Sequence, residues 1–319
     1  MADHTKIEWC DATVNWWVGC TQVSPACDHC YAKRIAAPFW GQKWGPGVPR
    51  QRFDGAAASL KALDRKAQRL GRKLTVFHNS VSDMFDNEVP DTWRMDAFQA
   101  MADTPNLIHL VLTKLIGNVR PYTQRDGLAF DLIGDGRVRL GITVCNQEEA
   151  DRDIPKLLAV EASTRFLSIE PMLGAVDLTK PLGLIRVAID QHLMPNHYPD
   201  LDWVIVGGES GPGARPVHPD WVRALRDQCQ ASRTPFLFKQ WGEWRPAETV
   251  REAGLRPCIA TNRVHPSRSM SGCSHLEHQV ESMLDGKGQY AHIDCAMFKA
   301  GKKAAGRLLD GVEHNGRPA

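Results

Sequence analysis

No run of about 18 consecutive apolar residues occurs in the sequence, so no segment reads as a membrane-spanning helix. The opening, "MADHTKIEWCDAT", lacks the basic-then-apolar pattern of an export signal, and a cytoplasmic location is expected. Charge of one sign is not in excess either. Its 39 Lys and Arg against 37 Asp and Glu leave a net +2, which neither demands nor excludes a polyanionic partner. No internal repeat or low-complexity tract interrupts the 319 residues, a length that holds one large α/β domain or two modest ones. The absence with most chemical content is a fourth cysteine. "GCTQVSPACDHCYAKR" places Cys20, Cys27 and Cys30 within eleven positions, and no further cysteine follows until Cys145. In a reducing compartment such a group reads as metal-binding or catalytic, not as disulfides.

Three thiolates at these spacings leave several arrangements open. A structural zinc needs a fourth ligand from elsewhere, such as His29 or a distant cysteine. A catalytic zinc keeps a water on its open position but usually has His or carboxylate among its ligands. A [4Fe–4S] cluster on three cysteines leaves one iron free to bind a chelating molecule. Three unrelated buried thiols are the bland alternative, which the tightness of the group disfavours.

What the chain does contain in quantity is short apolar runs. Seven of them, at 12–20, 73–83, 107–114, 138–146, 164–172, 201–210 and 234–242, are rich in Val, Ile, Leu and Phe, as strands covered on both faces are. Helical patterns at 91–104, 146–162 and 218–232 lie between them. The alternation implies an α/β fold with a parallel sheet and right-handed crossovers. A full or partial (β/α) TIM-type barrel of about six to eight strands is expected, because Asn79, Asp83, Lys114, Asn146, Glu170, Glu209 and Lys239 all fall at strand C-terminal ends, where barrel sites gather. Residues 1–242 read as the barrel domain. Residues 243–319 read as an irregular extension with a C-terminal helix, over "FKAGKKAAGRLLDG", packing on the barrel.

The cysteine motif in a loop after the first strand resembles that of the radical S-adenosylmethionine (SAM) superfamily. The second gap, "CDHC", matches the usual pattern, whereas the first is six residues long, "CTQVSPAC". Longer blocks, "IEWCDATVNWWVGCTQVSPACDHCYA", "HNSVSDMFDNEVP", "SIEPMLG", "WVIVGGESGPGARPVHPDWVRALRDQC", "FLFKQWGEW" and "GKKAAGRLLDG", together resemble an uncharacterised bacterial and phage family of three-Cys, radical SAM-like proteins. The resemblance implies a [4Fe–4S] cluster on Cys20, Cys27 and Cys30, SAM as second cofactor, and an electron donor such as flavodoxin or ferredoxin. It also places His29, before the last cysteine, near the adenine, and likens "GGE" at Gly207, Gly208 and Glu209 to the triplet that holds the SAM amino group. Two glycines would let backbone carbonyls approach an ammonium closely, and the carboxylate would complete charge-assisted bonds. Because the superfamily's triplet usually follows the second strand, Asn79 and Asp83 in "HNSVSD" are alternative cofactor contacts. Glu170 is a candidate for ribose hydroxyls.

Around the cysteines, "YAKRIAAPFWGQKWGPGVPRQRF" (31–53) interleaves Lys33, Arg34, Lys43, Arg50 and Arg52 with Tyr31, Phe39, Trp40 and Trp44. Those are ingredients of single-stranded nucleic-acid binding. With the phage association they point to a nucleic acid or nucleotide as substrate, hence modification or repair. The rival reading is a non-catalytic zinc- or Fe–S-binding protein that docks a nucleic acid or protein. Asn146 is read as a helix cap, and Cys10, Cys145 and Cys229 as packing residues. Cys258, His265, Cys273, His275, His278, His292 and Cys295 are a candidate second metal set.

Overall fold

A computed structural model describes residues 5, 7–183, 201–246, 256–258, 263–265 and 297–318. Its centre is a seven-stranded sheet: β1 (Ala12–Val14), β2 (Leu74–His78), β3 (Leu107–Thr113), β4 (Val138–Thr143), β5 (Arg165–Ile169), β6 (Trp203–Gly207) and β7 (Phe236–Gln240). Every neighbouring pair is parallel and the spatial order is the chain order. All seven expected strands are present. A parallel sheet wound in one direction by right-handed crossovers collects its helices on one face and curls away from them. The result is a half-barrel with β1 and β7 as its edges.

The helices are α1 (Tyr31–Trp40), α2 (Ala56–Leu70), α3 (Asp91–Ala102), α4 (Val119–Thr123), α5 (Gly127–Gly134), α6 (Gln147–Leu158), α7 (Pro219–Ser232) and α8 (Lys302–Ala305). Alternation along the strands decides the two faces. Val76, Val111, Leu140, Leu167, Val204 and Phe238 join Leu60, Phe98, Leu132, Ile154 and Leu225 of the helices in the main core. Phe77, Leu110, Phe166, Ile205 and Leu237 point the other way and, with Trp9, Cys10 and Trp203, fill the bottom of the lumen. The Trp9 ring lies 4.5 Å from that of Phe77 and 6.1 Å from that of Phe166. Each buried Leu, Ile, Val or Phe contributes about 1.5–3 kcal/mol relative to exposure. Gly141 makes room for this plug, since a Cβ there would lie 2.4 Å from the Phe166 ring.

The chain's end closes the edge and the floor. Phe238 N donates to His314 O at 3.0 Å and Gly316 N to Phe236 O at 2.9 Å, which covers the outer edge of β7. Trp203 Nε1 donates to Gly316 O at 2.7 Å and Arg317 Nη2 to Glu8 O at 2.6 Å. The helix expected over 298–311 is a single turn, α8. Gly301 and Gly306 flank it at φ 83° and 72°, in left-handed conformations that end a helix on either side. Trp244–Pro246 and Met297–Lys299 pair antiparallel beside it.

Candidate functional site

The three cysteines lie on the loop that leaves the C-terminal end of β1. Gly19 turns the chain into it at φ 100°, where a Cβ would sit 2.1 Å from Lys43 O, so no larger residue fits. Ser24 caps the short turn Pro25–Cys27 by accepting from Ala26 N at 3.1 Å. Cys30 is the residue before α1. All three thiols are free, and Cys27 and Cys30 are electrostatic neighbours of Cys20. Burial first, then the nearby Asp83 carboxyl, pushes the Cys20 thiol up from its ordinary range.

Two polar assemblies hold this loop, one at each end. At the first, Asp86 accepts from Thr21 N at 2.6 Å, Arg50 Nη2 at 3.0 Å and Glu88 N at 2.9 Å. Arg50 Nη1 donates to the carbonyls of Lys43, Gly45 and Val48 at 2.9, 3.1 and 2.7 Å. Both side chains are fully buried. At the other end, Glu209 accepts from His29 Nδ1 at 3.1 Å, from Arg215 N at 2.8 Å, and from Arg215 Nε and Nη2 at 2.9 and 2.6 Å. Arg215 reaches on to Asp28 Oδ2 at 3.1 Å and Pro25 O at 2.9 Å. Burial raises the Glu209 pKa, but the bonds from Arg215 and then His29 outweigh it and hold the carboxyl below its usual range. The ion pair thus ties the tip of the cysteine loop to the end of β6.

The expected site residues lie along the C-terminal rim of the sheet, with commitments the chain order does not disclose. Asn79, at φ 59°, donates from its backbone to Val14 O at 3.0 Å and accepts from Trp16 N at 2.9 Å, splicing β1 to β2. Asp83 accepts from Phe85 N at 2.9 Å, Thr113 Oγ1 at 2.7 Å and Lys114 N at 2.8 Å, and burial raises its pKa. Glu170 lies 2.8 Å from Lys239 Nζ and accepts from Gln240 Nε2 at 3.1 Å. Gly207 lets Glu170 in, for a Cβ would stand 3.1 Å from that carboxyl carbon. Gly208 lets the next strand in, since a Cβ there would be 2.1 Å from Trp241 O. The two glycines therefore serve close approach between strands, and Glu209 faces an arginine and a histidine.

Several polar atoms at the rim have spare capacity. Lys114 Nζ has Thr143 Oγ1 as its bonding partner, at 3.4 Å. Gln240 Oε1 is buried without a donor. Tyr31 is partly exposed and its hydroxyl donates to Ser80 O at 2.7 Å. Asn146 caps α6, accepting from Glu149 N at 2.9 Å. Asp86, Arg215 and Thr21 are site residues that pattern reading missed, and Arg50, read there as a nucleic-acid contact, belongs with them. The aromatic-basic stretch divides: Arg50 and Trp44 are buried and Arg52 pairs with Asp96 at 2.7 Å, leaving Lys33, Arg34 and Lys43 for other partners. The candidate second metal set of the extension lies outside the residues whose side chains are described.

The donor set suits an iron–sulfur cluster: three free thiols on one loop at the sheet's C-terminal edge, with His29 already bonded to Glu209 through Nδ1. Among the described residues no three His, Cys, Asp or Glu side chains converge on an ion-sized point.

No helix of the described residues is long and apolar enough to cross a membrane. No curated protein matches the chain. Among solved structures it is similar to a mutant spore photoproduct lyase with bound AdoMet and dinucleoside spore photoproduct, at 11% identity over 73% of this chain and 75% of that one, with a TM-score of 0.35. A family model described as a protein of unknown function, DUF5131, matches residues 4–318, and the chain belongs to that family.

Proposed function

We propose that the rim of the half-barrel carries a [4Fe–4S] cluster on Cys20, Cys27 and Cys30 and that the protein is a radical SAM-type enzyme. The observation that carries this reading is the cysteine loop itself. Three free thiols lie on one loop at the sheet's C-terminal edge, and the loop is anchored at both ends by ion pairs, Arg50–Asp86 and Arg215–Glu209. Cys20, Cys27 and Cys30 would hold the cluster, which with SAM would supply one-electron reductive chemistry for hydrogen abstraction, the electron coming from a donor such as flavodoxin or ferredoxin.

The chain's own residues take distinct parts. Glu209 and Arg215 position the loop through His29, Asp28 and Pro25. Asn79 and Asp83 shape the segment after β2. Glu170, held by Lys239 and Gln240 and admitted by Gly207, presents a carboxylate for hydroxyl groups. The apolar floor of Trp9, Phe77 and Phe166 excludes water from below. The substrate we favour is a nucleic acid or nucleotide.

The test is anaerobic reconstitution with iron and sulfide, reduction in the presence of SAM, and assay for 5′-deoxyadenosine. Its formation, lost in Cys27→Ala, is the expected result. Stoichiometric zinc, no cluster absorption and no product would overturn the proposal in favour of a metal-stabilised binding protein.

A further inference from the structure

Helix α1 begins directly after Cys30, and its burial runs opposite to that of an ordinary surface helix. It buries its small residues, Ala32 and Ala36, against Val18, Trp44 and Val81. It exposes three of its large ones, Tyr31 at 42%, Ile35 at 45% and Phe39 at 78%, while Trp40 is half-buried. Those three stand four residues apart, one above another on a single face at a pitch of about 6 Å. The stripe runs about 12 Å outward from the rim. Phe39 packs tilted on Trp40, with 5.7 Å between ring centroids, and Trp40 in turn lies 5.4 Å from Phe53 in an edge-on contact. The exposed ring therefore rests on a fixed aromatic base. An exposed contiguous apolar stripe of this kind marks an interaction surface.

Its border identifies the partner. Residues 29–53 contain no Asp or Glu. Lys33, Arg34 and Lys43 form no ion pair among the described residues, whereas the neighbouring Arg50 and Arg52 are committed to Asp86 and Asp96. The Arg34 guanidinium lies at Gly211, on the β6 side of the cysteine loop. Arg34, three residues on from Tyr31, borders the stripe, and a partner helix or a second copy of this chain would need a carboxylate facing that cation beside its own apolar stripe. A polyanion with flat apolar faces matches both features, since bases stack on aromatic rings while phosphates meet the cations.

We infer that the α1 face, Tyr31, Ile35 and Phe39 with Arg34 at its border, is the docking track for a single-stranded nucleic-acid segment that leads to the rim. The inference rests on the proposed function for the purpose of the track, but the binding itself does not. A single strand, or a nucleotide drawn out of a duplex, is what the geometry requires, because a base must leave its stack to enter a barrel mouth.

The experiment is fluorescence anisotropy with labelled single-stranded DNA and RNA of mixed sequence, about 16 nucleotides long, and full-length protein without SAM. Binding with a Kd of roughly 10−6 M or tighter at low salt is expected, weakening as salt rises. Phe39→Ala, at a position too exposed to disturb the fold, should weaken binding about tenfold, the loss of one stacked base. Arg34→Ala should lower the salt slope by about 0.7, one phosphate on a single strand. Phe130→Ala, an exposed ring on α5, should change nothing. Absence of binding to both oligonucleotides would overturn the inference, as would binding that Phe39→Ala leaves intact. So would a concentration-dependent dimer in sedimentation that Phe39→Ala abolishes. Formation of 5′-deoxyadenosine with no oligonucleotide binding would sink the track and leave the proposed chemistry standing. Binding without product would do the reverse.

Discussion

Replacing Asp86 by asparagine leaves the Arg50 guanidinium buried beside a neutral amide. Both side chains of this pair have no exposure, so water cannot solvate the orphaned charge. Removing one partner of a buried ion pair costs about 3–5 kcal/mol. Asparagine keeps one oxygen that can still accept from Thr21 N, and Arg50 keeps its bonds to three carbonyls, which sets the expectation at the low end, about 3 kcal/mol. Arg52→Ala is the internal comparison. That pair to Asp96 is exposed on both sides and should cost less than about 1 kcal/mol. Urea unfolding followed by fluorescence measures both variants, with the slope checked for constancy. Because Thr21 follows Cys20 directly, Asp86→Asn should also lower the iron retained per chain after reconstitution. A loss below about 1 kcal/mol, or equal losses for the two variants, would refute the reasoning that burial makes this pair different. The double change Asp86→Leu with Arg50→Met removes both charges and should recover much of the stability, since apolar replacements of a buried pair are often neutral.

Arg215→Ala should release the tip of the cysteine loop. Its side chain is partly exposed, so the stability cost is modest, about 1–2 kcal/mol, but a chelator should strip iron from the reconstituted variant faster than from the parent; equal rates would remove the positioning role. Trp16 Nε1 donates to His78 Nδ1 at 3.0 Å, and His78 Nε2 lies 3.0 Å from His109 Nδ1, which makes the buried pair neutral. Burial holds the His109 pKa at about 4 against an ordinary 6.5, and lowers that of His78 as well. The unfolded chain therefore binds more protons between those values, so stability should fall as pH drops from 6.5 towards 4, by about 3 kcal/mol for His109 alone. Melting curves at pH 7.5 and 5 measure this, and an unchanged pH slope in His109→Gln would contradict it. Gly208→Ala puts a methyl group 2.1 Å from Trp241 O and should cost at least the upper part of the about 1–3 kcal/mol typical of overpacking. Gly71→Ala, whose Cβ would meet open space at φ 64°, should cost about 1 kcal/mol; thermal melting separates the two.

Local pattern was enough to read the sheet. Seven short apolar runs became seven parallel strands because a strand covered on both faces is apolar at every position, and that property is written in consecutive residues. The order of the strands followed from crossovers that have one favoured hand. The candidate site was legible to the same depth: three close cysteines, and polar residues where each strand ends. What each polar residue does was not legible. Arg34, Arg50 and Arg52 stand within one basic stretch, yet one lies beside the cysteine loop, one is sealed against Asp86 and one pairs on the surface with Asp96. Glu209 reads as a carboxylate for a bound ammonium after two glycines, but its partners are Arg215, six positions on, and His29, 180 positions back. Helix α1 has the periodicity of an amphipathic helix, and only packing chose its alanines for the interior. Periodicity records which residues share a face and with what spacing. Which face is covered, and which charge meets which, depends on distant segments arriving at the same place, and that was decided by the tertiary structure.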